Sequence, residues 1–168
     1  MNKAIFLDRD GVINIDKSYV YKIDDFEFVE GLIKALKHFQ GLGYLLIVVT
    51  NQSGIGRGYY TIDDFKKLTE WMLRELKKEE IDIKKVFFCP HSPDEGCECR
   101  KPNPGMIKEA VKEFNVDLIN SWMIGDKERD IEAALSAGIK NTILIGDMET
   151  KAKFKVKSIL DTISIIKK

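Results

Sequence analysis

A chain of 168 residues, 44% apolar and 32% charged, has the length of one ordinary domain and the composition of a globular protein, which excludes a disordered or fibrous one. Its 27 acids balance 27 bases, so no net field draws it to nucleic acid or to an anionic membrane surface. No apolar run reaches the roughly 18 residues that a membrane-spanning helix needs.

In chain order, the first predicted element is a strand at Ala4–Leu7. That apolar stretch is too short for a secretory signal and meets Asp8-Arg9-Asp10 at once, so it reads as a buried strand of a cytoplasmic protein. Leu32, Ile33, Leu36 and Phe39 share a helical face, with Gly41 and Gly43 suited to its end. A strand follows at Leu45–Val49. Thr61 to Asp64 has the form of a capping box, with Asp in place of the usual Glu, opening a helix whose stripe is Phe65, Leu68, Met72 and Leu76. Next come a strand at Val86–Cys89 and a helix carrying Met106, Ile107, Ala110, Val111 and Phe114, with Pro104 in its first turn. Trp122–Ile124 is a strand, Asp130–Ala137 a helix stopped by Gly138, and Thr142–Ile145 a strand. Ile159–Ile166 is predicted to be a last helix packing on the sheet, with Lys167 and Lys168 a solvated end.

The strands are unbroken apolar runs, the pattern of strands covered on both faces. Their alternation with helices predicts an α/β fold, a doubly wound Rossmann-like parallel sheet, as a single domain over residues 1–168. The stretches after the first strand and between the second and third are too short for a separate cap domain. Neither a heptad seam nor an exposed apolar stripe demands a dimer, so a monomer is expected.

Ligands of such a sheet bind beyond the carboxyl ends of its strands. Those ends carry Asp8-Arg9-Asp10-Gly11-Val12, Thr50-Asn51-Gln52-Ser53-Gly54, a cysteine segment leading to Arg100-Lys101-Pro102, and Gly125-Asp126-Lys127-Glu128-Arg129-Asp130. Asp8 and Asp10, two apart after a strand, can both aim into one pocket, but they repel unless a cation lies between them. Asp126 can complete an all-oxygen site of the kind magnesium takes. An isolated Asp-x-Asp reads more readily as a turn or cap than as a site; Thr50, Lys101 and Asp126 at matching strand ends reverse that preference.

Cys89, Cys97 and Cys99 are the only cysteines and lie beside His91. Three is an odd number for a disulfide framework, and a reducing compartment disfavours disulfides. Cys89-x-His91 and Cys97-x-Cys99 match the Cys₃His composition of structural zinc sites. A closed tetrahedral zinc would pin the loop and place Arg100 and Lys101. The other histidine, His38, reads as a surface helix residue.

Asp8-Arg9-Asp10-Gly11-Val12, Thr50-Asn51-Gln52, Lys101 and Gly125-Asp126-x-x-x-Asp130 resemble, in order, the four motifs of the haloacid dehalogenase superfamily of phosphatases. Thr50 to Ile55, Cys89-Pro90-His91 and Cys97 to Pro102, with Asp16 to Tyr19 and Phe26-Glu27-Phe28, are similar to the branch that holds heptose bisphosphate phosphatases and histidinol-phosphate phosphatases. The resemblance implies that Asp8 is the nucleophile, Asp10 the general acid and base, and Thr50 and Lys101 the groups that hold the phosphoryl oxygens. It implies Mg²⁺ on Asp8, the Asp10 carbonyl and Asp126, with Asp130 orienting that site from behind. It further implies contacts to a small phosphorylated sugar from Asp16, Lys17, Ser18, Tyr19, Asn51, Gln52, Ser53, Arg100 and Lys127. Arg100 would read a second anionic group. Tyr19, Tyr21 and Phe26 are either rim contacts or core aromatics.

The implied activity is hydrolysis of the 7-phosphate of a heptose bisphosphate through an aspartyl phosphate, in the synthesis of nucleotide-heptose precursors of lipopolysaccharide. Histidinol-phosphate hydrolysis is the alternative on the same scaffold. The loop between His91 and Cys97 is shorter than in the heptose enzymes, which leaves both the exact substrate and the preferred anomer open. A phosphoryl-accepting signalling domain also has clustered acids and a lysine, but its acceptor follows a later strand.

Overall fold

Six parallel strands form one sheet: β1 (Ala4–Leu7), β2 (Leu45–Asn51), β3 (Ile83–Cys89), β4 (Trp122–Gly125), β5 (Asn141–Ile145) and β6 (Phe154–Val156), in the order β3-β2-β1-β4-β5-β6. The helices are α1 (Leu32–Gly41), α2 (Ser53–Gly56), α3 (Ile62–Lys78), α4 (Gly105–Phe114) and α5 (Glu128–Ala137). This is a computed structural model describing residues 1–167; Lys168, read above as part of a solvated end, lies outside the described residues. Among those residues no helix is long and apolar enough to cross a membrane.

The apolar runs of the central strands split by alternation into two cores. Ile5 and Leu7 of β1 and Leu46 and Val48 of β2 join Leu32, Leu36, Leu68 and Met72 on one face. Ala4, Phe6, Ile47 and Val49 join Met106, Ile107, Ala133 and Ala134 on the other. Each fully buried aliphatic or aromatic side chain contributes about 1.5–3 kcal/mol, so strands this short are held by packing more than by their own propensity. The predicted capping box is present, with the Thr61 hydroxyl accepting from Asp64 N–H at 3.1 Å and an Asp64 carboxylate oxygen accepting from Thr61 N–H at 2.9 Å.

The structure differs from the sequence reading at the edges. β3 begins at Ile83 rather than Val86, because the exposed Lys84 and Lys85 on this edge strand hide its apolar pattern. β6, three residues flanked by lysines, escapes hydropathy altogether. Charged edges of this kind resist pairing with another chain. Pro104 precedes α4 as its cap rather than sitting in its first turn.

The chain end is a 3₁₀ helix at Ile159–Ser164, not an α-helix; it packs against α1 and, through the buried Ile159 and Ile166, joins the core on one face of the sheet as expected. Gly31, at φ 83°, has no room for a side chain because Leu160 fills that space. His38 is consequently half-buried, its Nε2 lying 2.6 Å from the Ile166 carbonyl oxygen, and is not a free surface residue.

Candidate active site

Register gathers the motifs. Leu7 lies opposite Val48 of β2 and Ile124 of β4. The next residue, Asp8, extends the ladder by donating its N–H to the Ile124 carbonyl at 3.2 Å. Thr50 and Asp126 each fall two residues beyond those partners, so three neighbouring strands deliver them to one edge. β2 also pairs with β3 so that Asn51 faces Cys89, which starts the cysteine segment beside the same edge.

One carboxylate oxygen each from Asp8, Asp126 and Asp130 lies within 4.8 Å of the others. The Lys101 ammonium, 2% exposed, donates to Asp130 Oδ1 at 2.6 Å, Asp8 Oδ1 at 3.0 Å and the Val49 carbonyl at 2.8 Å. Asp130 Oδ2 accepts the N–H groups of Asp126 and Lys127. That use of both oxygens suits Asp130 to a supporting place behind the site.

Burial, reinforced by Asp130 and only partly relieved by Lys101, pushes the Asp8 carboxyl well above the usual range. Burial and Asp130 push Asp126 up to about 6. For Lys101, burial favours the neutral amine, but Asp130 and Asp8 more than reverse this and raise its pKa. Three crowded acids with one buried cation leave negative charge in excess, and Asp126 Oδ1 is buried without a hydrogen-bond partner. Both features fit a hard divalent cation with oxygen ligands, as magnesium is. The fit is close-walled: Gly11, at φ 92°, lies so near Asp126 that a β-carbon there would displace the carboxylate.

Asp10 behaves differently from the expectation of two converging carboxylates. Its side chain turns away from the cluster, accepting from Arg9 Nη2 at 2.9 Å, Asn14 Nδ2 at 3.0 Å and Gln52 Nε2 at 3.3 Å. Arg9 is almost wholly buried, also donates to the Val20 carbonyl at 2.7 Å and lies over the Phe26 ring. An arginine flanked by two acids directly after a strand was the signal for this role. Gln52 Nε2 also donates to Thr50 Oγ1 at 3.0 Å, and its Oε1 accepts from the buried Tyr60 hydroxyl. That bond fixes which way the amide faces and aims its N–H groups at Asp10 and Thr50. Burial, with Asp10 nearby, pushes the Tyr60 hydroxyl up to about 12, so it stays a donor.

A cavity of about 280 Å³ opens beside these groups, lined by Asp10, Tyr60 and Arg57 together with Asp16, Ser18, Tyr19, Asn51, Gln52, Ser53, Arg100 and Arg129. Asp8, Thr50 and Lys101 are buried behind that lining and linked to it through Gln52 and Asn51. Asn51 holds Lys101 at both backbone groups, Oδ1 accepting its N–H at 2.9 Å and Nδ2 donating to its carbonyl at 3.1 Å. This gives its amide a positioning role, while Asn51 also lines the cavity and keeps its second Nδ2 hydrogen free.

Asp16 Oδ1 accepts the Ser18 N–H at 3.0 Å, bracing a turn in which Ser18 and Tyr19 both have positive φ. Tyr19 is a rim residue, edge-on to Tyr59; Tyr21 stacks on Tyr60, and Phe26 is core. Two predicted contacts fall outside the cavity: Lys17 pairs with Glu27 at 3.3 Å, and Lys127 Nζ lies 3.9 Å from Asp126 Oδ2. Arg57, Tyr60 and Arg129 line it without having been singled out from sequence, where an unpaired arginine looks like any surface charge.

The four Cys/His donors converge as predicted. Cys89 Sγ is 3.4 Å from both Cys97 Sγ and His91 Nδ1; Cys99 Sγ is 3.3 Å from His91 Nδ1 and 3.6 Å from Cys97 Sγ. A tetrahedron with metal–ligand bonds of about 2.0–2.3 Å has edges of about 3.3–3.8 Å, which these separations match. The sequence reading disfavours a disulfide, whereas here the Cys89 and Cys99 sulfurs stand at bonding distance, their Cα atoms 5.5 Å apart. Crowding that suits an ion also brings two thiols within reach of each other. A disulfide leaves the His91 imidazole and the Cys97 thiol packed against the pair without a role; an ion uses all four.

Residues 98–158 match the HAD-hydrolase-like family. Across 99% of its length the chain is 46% identical to the D-glycero-β-D-manno-heptose-1,7-bisphosphate 7-phosphatase of Pasteurella multocida, covering 98% of that protein. It is 52% identical, over 90% of its length and 87% of the relative, to the corresponding α-anomer phosphatase of Campylobacter jejuni. The crystal structure of the D,D-heptose 1,7-bisphosphate phosphatase of B. bronchiseptica, complexed with magnesium and phosphate, superposes with a TM-score of 0.89 at 30% identity, covering 98% of this chain and 97% of that one.

Proposed function

Since the chain belongs to the D-glycero-D-manno-heptose-1,7-bisphosphate 7-phosphatase family of haloacid dehalogenase-like hydrolases, we propose that it hydrolyses the 7-phosphate of such a bisphosphate. Residues 1–168 would act as one phosphatase domain, a cytoplasmic monomer feeding nucleotide-heptose precursors of lipopolysaccharide, with no nucleic-acid partner. The observation that carries the reading is the buried Lys101 ammonium joining Asp8 to Asp130 beside Asp126, a phosphoryl-sized group of charges at the end of three adjacent strands.

In this reading Asp8 attacks phosphorus in line with the sugar oxygen, and a P–O bond to Asp8 forms as the P–O bond to the sugar breaks. Asp10, held by Arg9 and Gln52, gives a proton to the departing alkoxide and takes one from the water that cleaves the aspartyl phosphate. Thr50 and Lys101 hold the phosphoryl oxygens, and Gln52 keeps the Thr50 hydroxyl aimed. A magnesium ion held by Asp8, Asp126 and the Asp10 carbonyl would supply charge neutralisation between carboxylate and phosphate. Side-by-side assays with heptose 1,7-bisphosphate and histidinol phosphate test the substrate. We expect kcat/KM to favour the bisphosphate by at least about 100-fold, since a site built for an anion discriminates strongly against a substrate that lacks it. Equal or reversed preference would refute it.

We further propose that Cys89, His91, Cys97 and Cys99 bind one structural Zn²⁺. Ligands that fill all four positions leave none for a substrate. The ion would replace the apolar core that this charged segment lacks and would hold Arg100 at the cavity. Cys97→Ser is expected to lose the zinc measured by mass spectrometry in the purified protein, and to raise KM more than it lowers kcat, because Asn51 holds Lys101 independently. Metal-free protein with an ordered loop and unchanged KM would count against the zinc.

A further inference from the structure

Three guanidinium groups from three separate elements line the cavity: Arg57 just past α2, Arg100 in the cysteine segment and Arg129 in the first turn of α5. Among the described residues none of the three forms an ion pair with a carboxylate. Arg57 reaches only the Ser53 hydroxyl, at 3.4 Å, and Arg100 Nη1 is buried with no partner. All three guanidinium groups border one cavity of about 280 Å³, so their positive charges share a single small space. Like charges held this close without a counter-charge mark a place where an anion completes the structure.

Building on the bisphosphate reading, we propose that Arg57 and Arg129 act with Arg100 as a clamp on the substrate's second phosphate, and that these two side chains set the preference for a bisphosphate over a monophosphate. Guanidinium forks match phosphate oxygens in pairs, and three forks from three walls can enclose a dianion that one arginine could only touch. The acids of the same cavity are already engaged, Asp10 by Arg9 Nη2 at 2.9 Å and Asp16 by the Ser18 N–H at 3.0 Å, which leaves the three arginines as its unpaired charges. A tail bearing an amine, such as that of histidinol phosphate, would meet three positive charges.

The test is steady-state kinetics on heptose 1,7-bisphosphate and on the same heptose carrying only the 7-phosphate, for wild type, R57Q and R129Q. Both arginines are exposed, so the variants should fold, and each reports independently of the other. In wild type, KM for the bisphosphate should lie below that for the monophosphate. Each substitution should lower the ratio of the monophosphate KM to the bisphosphate KM about tenfold, with kcat for the bisphosphate changing much less than KM. A ratio that stays at the wild-type value in both variants overturns the clamp. So does an equal rise of KM for both substrates, which would place the arginines on the transferred phosphate instead. Wild-type enzyme that prefers histidinol phosphate overturns the substrate reading itself; wild type that prefers the bisphosphate while both variants keep its KM ratio overturns the clamp alone.

Discussion

Asp8→Asn should lower kcat by more than about 10⁴-fold while leaving a folded protein that melts higher than wild type in the presence of chelator. The amide has the shape of the carboxylate but no anionic oxygen to attack phosphorus, so turnover is lost at the chemical step. The stability gain has a separate cause. Burial and Asp130 raise the Asp8 carboxyl above its unfolded value even with Lys101 beside it. A carboxyl raised by folding contributes stability only while protonated, and that contribution is lost as pH rises through the folded value. Above that folded value and without a cation, the ionised Asp8 burdens the fold, and a neutral amide relieves it. Magnesium should raise the melting temperature of wild type and do little for Asp8→Asn. Substantial phosphate release by the purified variant would remove Asp8 as the nucleophile.

Lys101→Met should be as damaging to the fold as to the reaction. Methionine keeps much of the stem but removes the ammonium, leaving Asp8 and Asp130 buried against each other and the Val49 carbonyl without its donor. Breaking a buried pair by deleting one partner costs about 3–5 kcal/mol, because the orphaned charge stays behind. Urea denaturation should show a loss of that size. The loss should shrink on acidification, because the carboxylates then take up protons, and on adding magnesium. A loss below about 1 kcal/mol would mean that the lysine acts as an ordinary surface charge. Catalysis should fall together with phosphate affinity, since the same ammonium would meet the transferred group.

The sheet was legible because β1, β2 and β4 are apolar on both faces and because Gly138 and the Thr61 box end and begin helices by local chemistry. The edges were not: Lys84 and Lys85 in β3 and the lysines around β6 serve solubility, and their polarity masks a strand that only a neighbour's ladder stabilises. The ends of the strands foretold Asp8, Thr50 and Asp126, since a residue just past a buried parallel strand has few other places to go. What lay hidden was the wiring among side chains. Nothing in the order of letters says that Asp10 turns to Arg9, that Tyr60 orients Gln52, or that Asn51 grips the backbone of Lys101. Those choices depend on which groups meet across as many as 50 positions of sequence, as the Asn51–Lys101 pair does.

That last pair governs how the enzyme can vary. By gripping the N–H and C=O of Lys101, Asn51 treats the lysine as if it were one more rung beside β2, so its reach to Asp8 is measured from rigid sheet and not from a loop. Chain can then be inserted or removed between His91 and Cys97 without moving the ammonium. The tip of that loop becomes free to reshape what enters the cavity while the phosphoryl-transfer groups keep their places.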